Sequence, residues 1–146
     1  MRLTQHTDYS LRVLIYLACD PERLVTIQQI SEAYGISRNH LMKVVRELAN
    51  QGYVASTRGA GGGIRLGRPP ESIRIGDVVR AMEPDFALVE CFRPDNACVI
   101  TPACRLPHLL EEAAAAFLAT LDGYTLADLL PPRQVRELRG LLRLTG

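Results

Sequence analysis

Three of the four cysteines in this 146-residue chain lie in one short stretch, "CFRPDNACVITPAC", residues 91–104. Six residues separate Cys91 from Cys98, and five separate Cys98 from Cys104. Three thiols are an odd number for disulfides and one short of a tetrahedral metal site. Structural zinc sites typically use knuckles with roughly two to four residues between ligands, so these gaps argue against zinc. A loop with wide gaps can wrap a larger object, and thiolates are the usual ligands of iron–sulfur clusters. Unligated cysteines normally pack inside as small hydrophobes. That suits Cys19 on its apolar segment, but not three thiols set among Arg93, Asp95 and Asn96. A fourth ligand must come from elsewhere. Asp8, Glu90 and His108 are the candidates, and local sequence favours His108, four residues past Cys104. No nucleophile–base pair or paired carboxylates accompany the thiols, so an enzyme is not expected.

Elements on both sides must hold this loop. Upstream, "ESIRIGDVVRAME" reads as a helix with Ile73, Ile75, Val78, Val79 and Met82 apolar. Downstream, "LPHLLEEAAAAFLATLDGY" predicts a long helix with Leu106, Leu109, Leu110, Ala113, Phe117 and Leu121 on one stripe. A long helix slimmed by Ala113–Ala116 at the edge of a small domain calls for a partner, and a second copy of the chain is the simplest one. "TLADLL" adds a short turn capped by Thr125. "PPRQVRELRGLLRLTG" reads as a weakly amphipathic last helix or a frayed tail.

The first half of the chain has a different character. Residues 1–80 carry 11 Lys+Arg against 7 Asp+Glu, whereas residues 81–146 carry 6 against 9. Arg38, Lys43, Arg46, Arg58, Arg65 and Arg68 crowd into residues 37–68 against only Glu47. A basic patch of this kind is the footprint of a nucleic-acid surface, or else a solvated charged face. Periodicity and the hairpin that follows favour the first. "TDYSLRVLIYLACD" predicts a first helix capped by Thr7, with Leu11, Leu14, Ile15 and Ala18 inward. Thr26 caps a short helix burying Ile27, Ile30 and Ala33. Gly35 breaks it, and Ser37 caps a second helix with Leu41, Val44, Val45 and Leu48 inward.

The result is a helix-turn-helix. Arg38, Asn39, His40, Lys43 and Arg46 face outward on its second helix, and Arg and Asn are the side chains that read guanine and adenine edges. "YVASTRGAGGGIRLG" then predicts a hairpin of Tyr53–Ala55 and Ile64–Leu66, with Arg58 and Gly59 near its tip and Arg65 on the return strand. A hairpin after a recognition helix is a wing. A phosphate-cradling loop is the competing reading, but there is no G-x-x-x-x-G-K-[ST], and "GAGGGI" lacks the last glycine of a dinucleotide fingerprint.

The fold expected is therefore mainly α with a small β-hairpin wing. Residues 1–80 form a winged helix-turn-helix, 81–105 the cluster-binding loop, 106–130 a C-terminal dimerisation helix and 131–146 a tail. No apolar run approaches the ~20 residues that span a bilayer. Asp8 and Arg12 interrupt the only signal-peptide-like stretch, "LRVLIYLA", so no membrane partner and a cytoplasmic location are expected.

These motifs together resemble the nitric-oxide-sensing repressors of the Rrf-type winged-helix regulators. The resemblance rests on "LTQHTDYSLRVLIYLA", "YGISRNHLMKVV", "RGAGGGIRLG", "IRIGDVVRAMEP", "CVITPACRL" and "YTLADLL", and covers roughly residues 1–130. It implies a homodimer on a palindromic double-stranded operator, with one iron–sulfur cluster per subunit held by Cys91, Cys98 and Cys104. Nitric oxide would attack the cluster and lower DNA affinity. The nitric-oxide-sensing branch points to Asp8, from the partner subunit, as the fourth ligand. The branch that senses cluster or redox status uses a histidine three residues past the last cysteine, where this chain has Pro107, so His108 is out of register. Read without the resemblance, Asp8 simply complements a helix dipole in its first turn. Three cysteines with one oxygen or nitrogen ligand can hold a 4Fe–4S cluster, the form expected here, and a 2Fe–2S cluster is the alternative. A regulator responding to cluster or redox status is the alternative function.

Overall fold

The computed structural model describes residues 1–144; Thr145 and Gly146, the end of the expected tail, lie outside the described residues. The chain runs α1 (Gln5–Ala18), α2 (Ile27–Tyr34), α3 (Arg38–Asn50), β1 (Val54–Thr57), β2 (Gly63–Leu66), α4 (Ile75–Met82), α5 (Leu106–Asp122) and α6 (Pro132–Leu141).

Helix α1 is capped by Thr4, not Thr7: the Thr4 hydroxyl accepts the Thr7 amide at 3.3 Å. Thr7 instead sits one turn inside, fully buried, and its hydroxyl donates to the carboxylate of Glu83. The expected inward stripe of α1 is also too narrow. Val13, Tyr16 and Leu17 are buried beside Leu14 and Ala18, while Leu11 and Ile15 are only half-buried. Helices α3 and α4 and strand β2 all pack on α1, so it is covered from several sides.

Local chemistry shapes the next two helices as expected. Thr26 and Gln29 form a reciprocal capping box on α2. Gly35 turns the chain at φ +65°, a left-handed conformation that a β-carbon disfavours. The Ser37 hydroxyl then caps α3 by accepting the His40 amide at 3.2 Å. All four expected inward residues of α3 are buried. β1 and β2 pair antiparallel from Val54–Leu66 to Thr57–Gly63. Val25, in the segment expected to be a plain connection, adds a third rung: its N–H donates to the Ile64 carbonyl at 2.9 Å and its carbonyl accepts the Ile64 N–H at 2.7 Å.

The expected helix over 71–83 is shorter than its periodicity suggests. Pro70–Ser72 form a 3-10 turn, Ile73 is extended, and α4 begins at Ile75. The reason lies about 50 residues downstream. The Ile75 N–H donates to the Tyr124 carbonyl at 2.9 Å, and the Leu126 N–H donates to the Ile73 carbonyl at 2.8 Å. After α5 the chain thus returns to the start of α4, and Leu126 is fully buried there.

The core is one cluster formed by α1–α4, the hairpin, Leu126 and Leu142. Fully burying a leucine or isoleucine such as Leu14, Leu41, Ile73 or Leu126 contributes about 1.5–3 kcal/mol each. The tail carries a docked helix, α6, rather than a frayed end: the Arg139 guanidinium donates to the Cys19 carbonyl at 3.2 Å and to Asp20 at 3.3 Å. α5 rests against α4, yet none of its residues is buried. Phe117, Leu118 and Leu121 are half-buried, while Leu106 and Leu109 are 49% and 61% exposed.

Candidate nucleic-acid interface and thiol loop

The outer face of α3 is built by its inner face. Burying Leu41, Val44, Val45 and Leu48 leaves Arg38, Asn39, Lys43 and Arg46 exposed, one turn after another. Ser37 is exposed and spends its hydroxyl on the cap. His40 is half-buried, with its ring edge-on to Tyr9 at 4.7 Å, so it is partly a packing residue. In the wing, Arg58, Gly59 and Arg65 are all exposed, and Gly59 bends the tip at φ +99°. Among the described residues, Arg38, Asn39, Lys43, Arg46, Arg58 and Arg65 form no side-chain hydrogen bond or ion pair.

Arg68 behaves differently. Its guanidinium lies 4.6 Å from the Tyr53 ring and donates to the carbonyls of Gln51 and Gly52 at the end of α3. It fastens the wing to the recognition helix instead of joining the free basic face.

The three thiols lie between α4 and α5. Residues 83–105 hold no regular element except a 3-10 turn at Glu90–Phe92, which carries Cys91. Cys91 and Cys104 are half-buried, Cys98 is exposed, and none is in a disulfide. Local hydrogen bonds shape the loop. The Glu90 carboxylate accepts the Ala97 amide at 2.9 Å, and the Asn96 side-chain oxygen accepts the Cys98 amide at 3.3 Å and the Thr101 hydroxyl at 2.9 Å. Glu90, one proposed ligand, is therefore engaged as a loop brace.

Among the described residues, no three His, Cys, Asp or Glu side chains are gathered tightly enough to grip a single metal ion. The donor set is nonetheless the kind an iron–sulfur cluster takes: three free thiols on an open loop, each within solvent reach. His108 stands 87% exposed beside Glu111 at 3.7 Å. Asp8 lies on α1, away from the loop in sequence, with its carboxylate paired to Arg12 at 2.7 and 3.1 Å. Arg12 in turn lies 5.6 Å from the Tyr9 ring, whose edge meets His40 on α3. Tyr9 and Glu83 carry no sequence signal of their own, because their partners lie 31 and 76–79 residues away.

Cys19 is buried at the end of α1, where burial pushes its thiol up, in keeping with a packed core residue. No helix among the described residues is long and apolar enough to cross a membrane.

A winged helix-turn-helix with an unpaired basic face defines a DNA-binding transcriptional regulator. The family model described as "Rrf2: Iron-dependent Transcriptional regulator" matches residues 3–132, and the chain belongs to this Rrf2 family. It is 57% identical over 136 residues to the HTH-type transcriptional regulator NsrR of Bacillus subtilis (strain 168), covering 92% of this chain and 93% of that one. Among solved structures, it superposes on T. potens IscR with a TM-score of 0.72 at 27% identity, over 89% of this chain and 86% of that one. It superposes on CymR, the global cysteine regulator of B. subtilis, with a TM-score of 0.71 at 32% identity, over 88% and 95%.

Proposed function

We propose that this regulator is a homodimeric repressor that senses nitric oxide through an iron–sulfur cluster and releases its palindromic operator when the cluster is attacked. One observation carries the reading: the three free thiols occupy the covalent link between α4, part of the DNA-binding core, and the long helix α5, whose Leu106 and Leu109 remain uncovered in a single chain. The similarity to NsrR supports the signal.

Cys91, Cys98 and Cys104 would hold the cluster, one per subunit and 4Fe–4S rather than 2Fe–2S, with the partner subunit's Asp8 as fourth ligand. Bound there, the cluster supplies iron that a small diatomic can reach. An oxygen ligand binds such iron more weakly than thiolate does, so Asp8 marks the displaceable corner. Arg12, whose guanidinium holds the Asp8 carboxylate at 2.7 Å, would compete with iron for it. That pair continues through Tyr9 to His40 on α3, giving a packed path from the ligand to the reading helix. Operator half-sites on one DNA face lie about 34–36 Å apart, so a small change in helix placement weakens both contacts together. Regulation needs only a few kcal/mol of coupling.

In this reading α3 reads base edges with Arg38 and Asn39. Lys43, Arg58 and Arg65 meet phosphates, with Gly59 letting the wing approach. The half-exposed Leu106 and Leu109 belong to the dimer contact. A cluster- or redox-status sensor is the second reading, favoured by the superposition on IscR.

The test is to purify the protein anaerobically and follow visible absorbance and operator binding during nitric-oxide titration. Loss of the cluster bands in step with DNA release is expected. Colourless protein, or a bleached cluster with unchanged DNA affinity, contradicts the proposal. Release by oxidant or iron chelation but not by nitric oxide selects the second reading.

A further inference from the structure

Glu83 ends α4 and opens the cysteine loop, yet its carboxylate points back to the start of α1. It accepts the Thr4 amide at 3.1 and 3.3 Å from its two oxygens, the Thr4 hydroxyl at 3.1 Å and the Thr7 hydroxyl at 2.5 Å. Thr7 is fully buried, and Thr4 and Glu83 are half-buried, so these bonds are partly withdrawn from water. The carboxylate also faces the N-terminal end of α1, where exposed amides favour negative charge. Thr4 passes the contact on: its own hydroxyl accepts the Thr7 amide, and its carbonyl accepts the Asp8 amide at 3.0 Å. Asp8 is the next residue along this turn. Met1–Leu3 and residues 85–88 line one shallow cavity beside Glu83, so the N-terminal segment and the root of the loop run side by side.

We infer that Glu83 is a positioning residue for the cluster: by holding the first turn of α1, it fixes where Asp8 is presented to the neighbouring subunit. The inference rests on the reading of Asp8 as a ligand. Its physical logic is separation of roles. Asp8 must be free to leave iron, so something else must keep its backbone still. A half-buried carboxylate that gathers several donors from one helix turn is suited to that, since removing it leaves the buried Thr7 hydroxyl with only the Thr4 hydroxyl, at 3.1 Å, as a partner. Thr7, adjacent to Asp8, is the direct link.

Three full-length variants test this: Glu83→Ala, Glu83→Gln and Thr7→Val, the last keeping the buried volume while deleting the hydroxyl. In cluster-free protein, amide exchange at Thr4, Thr7 and Asp8 is expected to accelerate about tenfold in Glu83→Ala and Thr7→Val, with core amides of α3 unchanged. Glu83→Gln, which keeps one acceptor oxygen, recovers part of the protection. In cluster-loaded protein, the visible circular dichroism of Glu83→Ala is expected to shift toward that of Asp8→Ala. In an Asp8→Ala background, Glu83→Ala then leaves the spectrum unmoved, because both act through one ligand.

Unchanged exchange at Thr4–Asp8 in all three variants overturns the inference. So does a shift in the double variant as large as in Glu83→Ala alone, which marks a general structural role. Wild-type protein with no visible bands fails the cluster reading of the previous section instead. If Glu83→Ala does not fold, Thr7→Val and Glu83→Gln carry the same comparison.

Discussion

Arg80 grips Asp122 with both prongs of its guanidinium, at 2.6 and 2.7 Å, and so joins the helix before the cysteine loop to the helix after it. The Asp122 carboxyl is held below its ordinary 3.8, first by the hydrogen bonds from Arg80. A carboxyl depressed in the folded state stays ionised to lower pH there than in the unfolded chain. Its stabilising effect is therefore complete above pH 3.8 and fades as pH falls through the lower folded value. Asp122→Asn should lower Tm at neutral pH. The gap from wild type should close on acidification below that point, which thermal melts across the pH range will show.

Gly76 is the partner this ion pair requires. A β-carbon at Gly76 would lie 1.9 Å from the Asp122 carboxylate oxygen. Replacing a helical glycine by alanine ordinarily stabilises by about 1 kcal/mol. Here that gain should be offset, because the added methyl must push the Asp122 carboxylate out of its grip on Arg80, and Gly76→Ala should leave Tm close to wild type. With Asp122→Ala in the same chain the collision is gone, and Gly76→Ala should become stabilising. A larger gain from Gly76→Ala in the Asp122→Ala background than in the wild type, measured by paired thermal melts, is the check.

Leu126→Ala should cost about 2–5 kcal/mol in denaturant unfolding, the usual range for a fully buried leucine. Residue 126 lies beyond the long helix, so this loss would show that the far end of the chain belongs to the DNA-binding core. A loss under about 1 kcal/mol would contradict that placement.

Much of this core was readable in advance, and the limits of that reading have physical causes. The four inward residues of α3 followed the helical period because that helix has one buried side. α1 has several, so a single stripe understated it. Thr26 and Ser37 were legible as caps because capping is local. Thr7 was misread because its real partner, Glu83, is 76 residues away. The same distance hid the pairing of residues 73–75 with 124–126, which shortens α4. At the thiol loop, residue types revealed the donor chemistry. Where the thiols stand depends on loop bonds from Glu90 and Asn96, which no periodicity encodes.

DNA contacts should divide into two kinds. Arg58→Ala removes an unpaired charge at the wing tip. It should weaken binding to most sequences and reduce the salt slope by about one. Arg38→Ala or Asn39→Ala should cost about 1–3 kcal/mol on the preferred operator and relax discrimination between operator variants. Binding titrations on a panel of single-base variants at two salt concentrations separate these outcomes. Uniform losses for all three would contradict the division.

Asp8→Ala should leave the thiol ligands in place but alter the cluster's visible circular dichroism and its reaction with nitric oxide. It also removes the Arg12 pair, so operator affinity should change even in cluster-free protein. Unaltered spectra and nitric-oxide titration would rule out Asp8 and turn attention to His108.

The bridge between residues 73–75 and 124–126 has a consequence for how such a protein can diversify. The thiol loop and α5 form an excursion that leaves the core at the end of α4 and returns alongside that helix to its first turn, where the Ile75 N–H meets the Tyr124 carbonyl. Two strands at a bridge stand only about 5 Å apart. A different insert could therefore leave after Glu83 and return along α4 to the same bridge, keeping α4 in its place against α1 and leaving the helix-turn-helix and its wing undisturbed. The sensing segment is in this sense a cassette. Grafting another ligand-binding excursion between Glu83 and Tyr124 would change what the regulator responds to while keeping α4 and the surface that faces DNA.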